Sequence, residues 1–244
     1  MIKIPVRVSS DLSPKLAEAM TASVRRHMPD AELIHVVETG CRKLDCFDSV
    51  MHVDPNGDFV DQLLRVMAAI EGDVISLDYD IIVQDDLTHV FDKPFDVAFT
   101  RRPNEDKTVA KTLQASYNMG VIFSRSPEFW KYAKAIYDVQ PDRDGWLRSQ
   151  SLVSQIALYL SDRFEMIELP GEVYNHSPMT RDEDVSMRKI VHYKGNRKYW
   201  MLPESEQFNI ASSVAKTTEL VKKAKKRSPD AGVRAIPCEV NNNG

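Results

Sequence analysis

Apolar segments with strand character alternate with segments of helical periodicity through the first hundred residues. The strand-like segments are 2–10, 31–38, 49–54, 73–83 and 95–102. A helix begins at Ser13-Pro14, a side-chain cap followed by a first-turn proline, and a second covers 58–71 with apolar residues at helical spacing. Parallel strands need crossover connections, and helices in those crossovers cover the sheet. The sequence therefore predicts an α/β fold with a mixed, mostly parallel sheet flanked by helices.

The second half continues the alternation and then loses it. Residues 117–125 read as a strand in which Gly120 indicates a bend or a close backbone approach, and Ser126-Pro127 repeats the helix-start signal. A helix over 151–161 and strands over 164–170 and 189–195 follow. The pattern weakens after residue 203. We expect one domain over 1–203 and a basic, flexible C-terminal segment over 204–244.

Membrane insertion and secretion are not expected from this chain. No apolar run reaches the roughly 20 residues that a membrane-spanning helix needs, and the N-terminus has no signal-peptide core. The three cysteines, Cys41, Cys46 and Cys238, show no zinc-site spacing, so we expect reduced thiols. Together these features favour a cytoplasmic protein.

Charge is concentrated in the C-terminal segment. Residues 216–227 carry six Lys or Arg and one Glu, a net +5, which leaves −9 for the rest of a chain of net charge −4. A solvated helix face is the simplest interpretation. Electrostatic contact with anionic lipid or with a nucleic-acid backbone is the alternative. Few aromatic residues accompany the lysines, so base stacking is not indicated.

Two aspartates lie partway along the apolar run 73–83. If the segment is extended, Asp78 and Asp80 share one face and Tyr79 points to the other. Neighbouring carboxylates repel unless they share a proton or a cation. Mg²⁺ or Mn²⁺ commonly binds such oxygens together with substrate phosphates. An isolated pair of this kind is more often a loop feature, and Asp85 and Asp86 are interpreted as caps or solvated loop residues.

A second polar group follows near residue 192. In "HYKGNRKYW" (192–200), His192 ends a strand-like segment and precedes Gly195 and Lys198. A neutral imidazole can bind Mn²⁺ beside carboxylates. Glycine lets backbone N–H groups approach a phosphate, and a lysine supplies a positive charge to it. Alone, His192 would more often be a core histidine; with the acidic pair, it becomes a candidate third ligand.

Three segments in this order resemble glycosyltransferases of the GT-A (Rossmann-like) fold. They are "LDYDIIVQDDL" (77–87), "YNMGVIFSR" (117–125) and "VHYKGNRKYW" (191–200). The resemblance is closest to family 8, the group of glycogenin and the bacterial lipopolysaccharide galactosyltransferases. The opening "VRVSSDLS" (6–13) is similar to the first strand of that family, so the resemblance spans roughly residues 3–200.

The resemblance implies a metal centre and a binding site for a nucleoside diphosphate sugar, with UDP as the expected nucleotide. Asp78, Asp80 and His192 would bind Mn²⁺ or Mg²⁺. The remaining assignments are Ser9, Ser10 and Asp11 to the base and ribose, Tyr79 to the ribose or base, Asn118 and Gly120 to the donor sugar, and Gly195 and Lys198 to the diphosphate. The sugar would pass to an acceptor hydroxyl with retention of the anomeric configuration.

The chain departs from the family near the expected reacting carbon. The family often has an Asp-Gln pair there, and the stretch 144–155 offers Gln150 as the preferred match. Gln150 or Asn118 would stabilise the front-face intermediate of a retaining enzyme, whereas Asp144 is the candidate base of an inverting one. Tyr199 also replaces the proline of the family's late Lys-Pro-Trp.

The acceptor stays open among glycans, lipid-linked glycans, proteins and hydroxylated bases in nucleic acid. Two other functions are considered. A nucleotidyltransferase usually has a glycine-rich phosphate loop after its first strand, and "VSSDLSPK" (8–15) contains no glycine. A nucleotide-sugar-binding protein without transfer would have no need of Asp78, Asp80 and His192 together.

Overall fold

The structure is a computed structural model that describes residues 1–8, 14–102, 116–140 and 146–203, with the backbone alone at 146–150. Its strands are β1 (Lys3–Arg7), β2 (Glu32–Glu38), β3 (Ser49–Val53), β4 (Val74–Asp78), β5 (Ile81–Val83), β6 (Val97–Arg101), β7 (Tyr117–Ser124), β8 (Met166–Leu169) and β9 (Ile190–His192). Its α-helices are α1 (Pro14–His27), α2 (Phe59–Ala69), α3 (Pro127–Asp138), α4 (Trp146–Tyr159) and α5 (Gly171–Tyr174). Within the described ranges, 3-10 helices cover Thr88–Asp92 and Gly195–Met201.

Seven strands form the main sheet in the order β3-β2-β1-β4-β7-β6-β8. Every neighbouring pair is parallel except the two pairs that involve β7, which runs antiparallel to both β4 and β6. The strands β5 and β9 pair antiparallel in a separate two-stranded sheet. The predicted mixed, mostly parallel α/β fold is confirmed.

Helices cover both faces of the main sheet. The helices α2, α3 and α4 bury Leu64, Phe129 and Val153 against one face. On the other face, α1 buries Met20 in a cluster that also contains Ile81 of β5. The small sheet therefore lies on the α1 side of the molecule, packed against the same core as the main sheet.

Local capping explains where two of the helices begin. The Ser126 hydroxyl accepts a hydrogen bond from Phe129 N at the start of α3, with Pro127 in the first turn as predicted. The Asp58 carboxylate caps α2 by accepting from Val60 N and Asp61 N. Helix α4 begins at Trp146, five residues before the predicted start.

The prediction of one strand over 73–83 is wrong. β4 ends at Asp78, Tyr79 and Asp80 form a turn, and β5 continues into the other sheet. The segment is apolar on both sides of the turn, and no glycine, proline or asparagine marks the turn. The strand predicted over 189–195 likewise ends early, at His192, and Gly195 further on takes a left-handed backbone with φ of 62°.

Several smaller expectations have definite outcomes. Asp86 precedes the first 3-10 helix and accepts from Thr88 N at 2.9 Å, and Asp85 pairs with Lys189, so their assignment as loop residues is confirmed. Cys46 is a free thiol, but Cys41 is disulfide-bonded, so the expectation of reduced thiols is wrong for Cys41. Among the described residues, none of the helices combines the length and apolar character needed to cross a bilayer. The segment 204–244 lies outside the described residues.

Candidate metal centre

The pairing of two short strands brings the three candidate ligands together. Asp78 is the last residue of β4, and Asp80 lies in the turn that follows. Ile81 of β5 stands opposite His192 of β9, and Tyr193 N donates to the Asp80 carbonyl at 2.8 Å. The main sheet thus supplies one carboxylate, while the turn and the small sheet supply the second carboxylate and the imidazole.

The distances fit the first coordination shell of a small divalent cation. His192 Nε2 lies 3.0 Å from Asp80 Oδ1 and 3.6 Å from Asp78 Oδ2, and one ligand atom from each residue lies within 4.8 Å of the others. Neighbouring ligands of an octahedral ion with bonds of about 2.1 Å lie about 3 Å apart. Two carboxylates and one imidazole also suit Mn²⁺ or Mg²⁺ chemically. These residues therefore fit the expected metal.

The centre places two carboxylates close together beside a buried imidazole, which makes their negative charge costly. His192 is 4% exposed and Asp80 is 8% exposed, whereas a third of the Asp78 side chain is open to solvent. Burial raises the pKa of Asp78 to about 6, the neighbouring Asp80 adds to the rise, and His192 opposes it. A divalent cation bound between the two carboxylates would remove this electrostatic cost.

Gly120 is required by the close approach of two ligand side chains. A Cβ at this position would lie 2.4 Å from His192 Cε1 and 2.5 Å from Asp78 Oδ2. Asn118 Oδ1 accepts a hydrogen bond from Gly120 N at 2.9 Å, within the buried part of β7. The close backbone approach predicted for Gly120 is confirmed, and the glycine makes room for the metal centre itself.

A side-chain network that the sequence did not reveal contacts His192 at Nδ1, the ring nitrogen that does not face the aspartates. His192 Nδ1 lies 2.8 Å from Asn175 Oδ1, and Asn175 Nδ2 donates to Thr100 Oγ1 at 2.7 Å. All three residues are buried. Asn175 follows the short helix α5 and belongs to no recognisable motif, so no pattern in the sequence signals its role.

Lys198 lies beside the acidic turn. Its Nζ donates to the Tyr79 hydroxyl at 3.3 Å and stands 5.7 Å from the Tyr79 ring centroid. Burial, reinforced by Asp80 and Asp78, raises the pKa of Tyr79, so its hydroxyl stays protonated. Gly195 begins the 3-10 helix that carries Lys198. The structure thus brings Lys198 and Tyr79 together near the two aspartates.

Arg7 is a second functional candidate that sequence reasoning missed. It ends β1 directly opposite Asp78 in the strand register, with its guanidinium 5.0 Å from the Phe59 ring centroid. Its guanidinium lies 3.8 Å from Glu38 Oε1. Burial lowers the pKa of Arg7, and the charges of Glu38 and Asp78 oppose that shift. The only sequence signal is a cation that ends an apolar strand.

The other predicted site residues are not tested. Ser9, Ser10, Asp11 and Asp144 lie outside the described residues. Gln150 lies in α4, where the backbone alone is described at that position. Asn118 is 4% exposed in β7. Their roles toward donor and acceptor stay predictions.

Comparison with known proteins finds similarity at the level of structure. No family model and no curated protein sequence matches this chain. The galactosyltransferase LgtC, solved with donor and acceptor sugar analogs, is 14% identical with a TM-score of 0.57, over 86% of this chain and 95% of LgtC. A glycosyltransferase that acts in glycosylation of the PBCV-1 major capsid is 13% identical with a TM-score of 0.56, over 82% and 98%.

The glycosyltransferase GlyE of Streptococcus pneumoniae TIGR4 gives a third match. It is 15% identical with a TM-score of 0.55, over 87% of this chain and 63% of GlyE. At these identities the likeness establishes the fold alone. It confirms the expected GT-A architecture, while membership of family 8 stays a prediction.

Proposed function

We propose that this chain is a metal-dependent glycosyltransferase, which moves a sugar from a nucleoside diphosphate sugar to an acceptor hydroxyl. The observation that carries the proposal is the convergence of Asp78, Asp80 and His192 in a fold shared with glycosyltransferases. In open α/β sheets, ligands bind beyond the carboxyl ends of the strands. Asp78 stands at such an end, and His192 is brought to it by a separate strand pair.

The chain's own residues would hold the donor diphosphate and balance its charge. Mn²⁺ or Mg²⁺, when bound, supplies a Lewis acid that stabilises negative charge on the departing nucleoside diphosphate. Asp78, Asp80 and His192 would hold that ion. Lys198 carries a positive charge next to Tyr79 in the acidic turn, where it would contact the phosphates. Backbone N–H groups near Gly195 would add further donors.

The nucleoside and sugar would lie on either side of this centre. The base and ribose would contact Ser9, Ser10 and Asp11, which follow β1 and its terminal Arg7. Tyr79 would lie near the ribose or the base, and a UDP-sugar is the proposed donor. The sugar would lie near Gly120, the residue of β7 at which an added Cβ would overlap both His192 and Asp78.

Retention is the proposed stereochemical outcome, and it follows from the family resemblance. Gln150 or Asn118 would stabilise the positive charge that develops on the sugar in an oxocarbenium-like transition state. In an inverting reaction Asp144 would instead act as the base on the acceptor. The acceptor hydroxyl belongs to a glycan, a lipid-linked glycan, a protein or a hydroxylated base in nucleic acid. The basic segment 216–227 would favour a polyanionic surface in the lipid or nucleic-acid case.

Release of UDP from a panel of UDP-sugars, with and without Mn²⁺, tests this proposal. We expect Mn²⁺-dependent release from at least one donor. Asp80→Asn removes a charged ligand and should abolish release, while Asp85→Asn, a matched change at an aspartate paired with Lys189, should leave it intact. Release from no donor would contradict transfer. Donor binding that raises the melting temperature without any release would instead favour a binding protein, and formation of the nucleotide sugar from a sugar phosphate would favour a nucleotidyltransferase.

A further inference from the structure

Asn175 is a buried carboxamide that connects His192 to the main sheet. It is 2% exposed, and its side chain spans from His192 Nδ1 at 2.8 Å to Thr100 Oγ1 at 2.7 Å. Thr100 is fully buried in β6. The network therefore joins a residue of the three-residue strand β9 to β6, a strand of the seven-stranded sheet that is paired on both sides.

The surroundings of Thr100 determine which way the Asn175 amide faces. The Thr100 hydroxyl lies 3.4 Å from the carbonyl oxygens of both Asn118 and Val121. Carbonyl oxygens only accept, so the hydroxyl proton is directed to them and the hydroxyl oxygen accepts from Asn175. The Asn175 NH₂ group thus faces Thr100, and its oxygen faces His192.

An amide oxygen at Nδ1 requires a proton on that nitrogen. A neutral imidazole has one N–H donor and one acceptor nitrogen, so a proton at Nδ1 leaves the lone pair at Nε2. Nε2 is the nitrogen that faces Asp78 and Asp80. Asp80 Oδ1, 3.0 Å from Nε2, favours the opposite tautomer, in which Nε2 donates to the carboxylate. The hydrogen bond between Nδ1 and Asn175 opposes this second tautomer.

We infer that Asn175 is a positioning residue that keeps the proton of His192 on Nδ1, so that Nε2 is free to bind the metal. The inference rests on the metal centre in the proposed function and adds a role for Asn175 and Thr100. Groups that orient a metal-binding histidine in this way change metal affinity by about 10- to 100-fold when they are removed.

Mn²⁺ titration of the purified full chain by calorimetry tests the inference. Asn175→Leu should weaken Mn²⁺ binding about 10- to 100-fold, because the Nδ1 proton loses its acceptor. Asn175→Asp keeps an acceptor at Nδ1. It should therefore bind Mn²⁺ about tenfold more tightly than Asn175→Leu does. The matched control is Gln62→Leu in α2, which removes a carboxamide that is 1% exposed and donates to the carbonyls of Asp54 and Gly57 before the helix. It should leave Mn²⁺ affinity unchanged.

Nitrogen NMR of the histidine rings in the metal-free protein gives a readout that does not depend on activity. The wild-type His192 ring should carry a proton on Nδ1, the nitrogen that faces Asn175. Asn175→Leu should reduce the fraction of rings with a proton on Nδ1, and Asn175→Asp should not. A wild-type ring with an unprotonated Nδ1 would overturn the inference.

The outcomes separate the inference from the proposed function. If Asn175→Leu binds Mn²⁺ as tightly as wild type while Asp80→Asn does not, Asn175 has no positioning role and the metal centre stands. If the wild-type chain binds no Mn²⁺, both the inference and the metal-dependent function fail. Should Asn175→Leu not fold, Thr100→Val removes the acceptor that orients the amide. Weaker Mn²⁺ binding by Thr100→Val would support the inference, and unchanged binding would overturn it.

Discussion

The two sheets of this molecule contribute to the site in different ways. The main sheet holds Asp78 at the end of β4, between two hydrogen-bonded neighbours and under helices on both faces. The small sheet has three residues in each strand, yet it positions His192 and follows directly from Asp80. Pairing with β1 in the main sheet holds the backbone of Asp78 in place. The positions of Asp80 and His192 depend on the short pairing of β5 with β9 and on side-chain hydrogen bonds. We therefore expect the geometry of these two ligands to be more easily disturbed than that of Asp78.

The largest expected effect comes from a matched pair of isoleucine truncations. Ile4 of β1 and Ile190 of β9 are both fully buried, and either change to alanine should lower the free energy of unfolding by about 2–5 kcal/mol. Only Ile190→Ala should also weaken Mn²⁺ binding, by about tenfold, since a strand of three residues opens locally at lower cost. Chemical denaturation and Mn²⁺ titration measure the two quantities. Equal Mn²⁺ affinities for the two variants would show that the small sheet is as firmly held as the main one.

Lys198 extends the comparison to the donor phosphates. Lys198→Met should weaken binding of UDP in the presence of Mn²⁺ by about tenfold or more, because hydrogen bonds to charged groups contribute about 1.5–3 kcal/mol. Lys189→Met is the control, since Lys189 pairs with Asp85, which follows β5. Calorimetry with UDP measures both. A loss of the same size in both variants would mean that general charge, and no specific contact of Lys198, attracts the nucleotide.

Gly120 tests how closely the main sheet must approach the small one. Gly120→Ala should weaken Mn²⁺ binding by about 10- to 100-fold, because the new Cβ would overlap His192 and Asp78 and overpacking costs about 1–3 kcal/mol. Gly40→Ala is the comparison variant: it strains a left-handed backbone with φ of 95°, but no atom lies within 4 Å of the added Cβ. Its Mn²⁺ affinity should match wild type. Normal Mn²⁺ binding by Gly120→Ala would show that the centre tolerates a wider spacing.

The smallest expected effect is a pH dependence that belongs to the main sheet. Burial lowers the pKa of His35, in β2, from 6.5 to about 4. The folded state therefore binds fewer protons than the unfolded state between these values, and its stability falls as the pH drops from about 6.5 to about 4. Urea unfolding at pH 7 and pH 5 should show a loss of roughly 1–2 kcal/mol that His35→Gln lacks. Identical pH dependence in both proteins would assign the loss to other groups.

The accuracy of the sequence-based predictions follows the same division. Periodicity and the two cap-proline signals identify the strands and helices of the main layer, because burial on both faces imposes regular apolar patterns. The turn at Tyr79–Asp80 escapes detection, since the residues around it would suit a continuous strand. Asp78, Asp80 and His192 could be selected because the acidic pair interrupts an apolar run and because the segments that carry all three residues resemble glycosyltransferases in their order.

Two functional candidates left almost no trace in the sequence. Asn175 acts through His192 and Thr100, residues 17 and 75 positions away, and such a network has no local pattern. Arg7 occupies an ordinary strand end, and its proximity to Asp78 arises from the pairing of β1 with β4. Long-range contacts of this kind depend on the folded arrangement, which composition and spacing do not encode locally.

The central claim is that Asp78, Asp80 and His192 together hold one metal ion. Pulsed electron paramagnetic resonance of bound Mn²⁺ tests it directly, because a coordinated imidazole nitrogen modulates the electron spin echo. We predict one Mn²⁺ per chain, with the coupling of a single histidine nitrogen. His192→Ala should lose this coupling, and Asp80→Asn should lose Mn²⁺ binding. Bound Mn²⁺ that shows no nitrogen coupling, or a coupling that survives His192→Ala, would contradict the account.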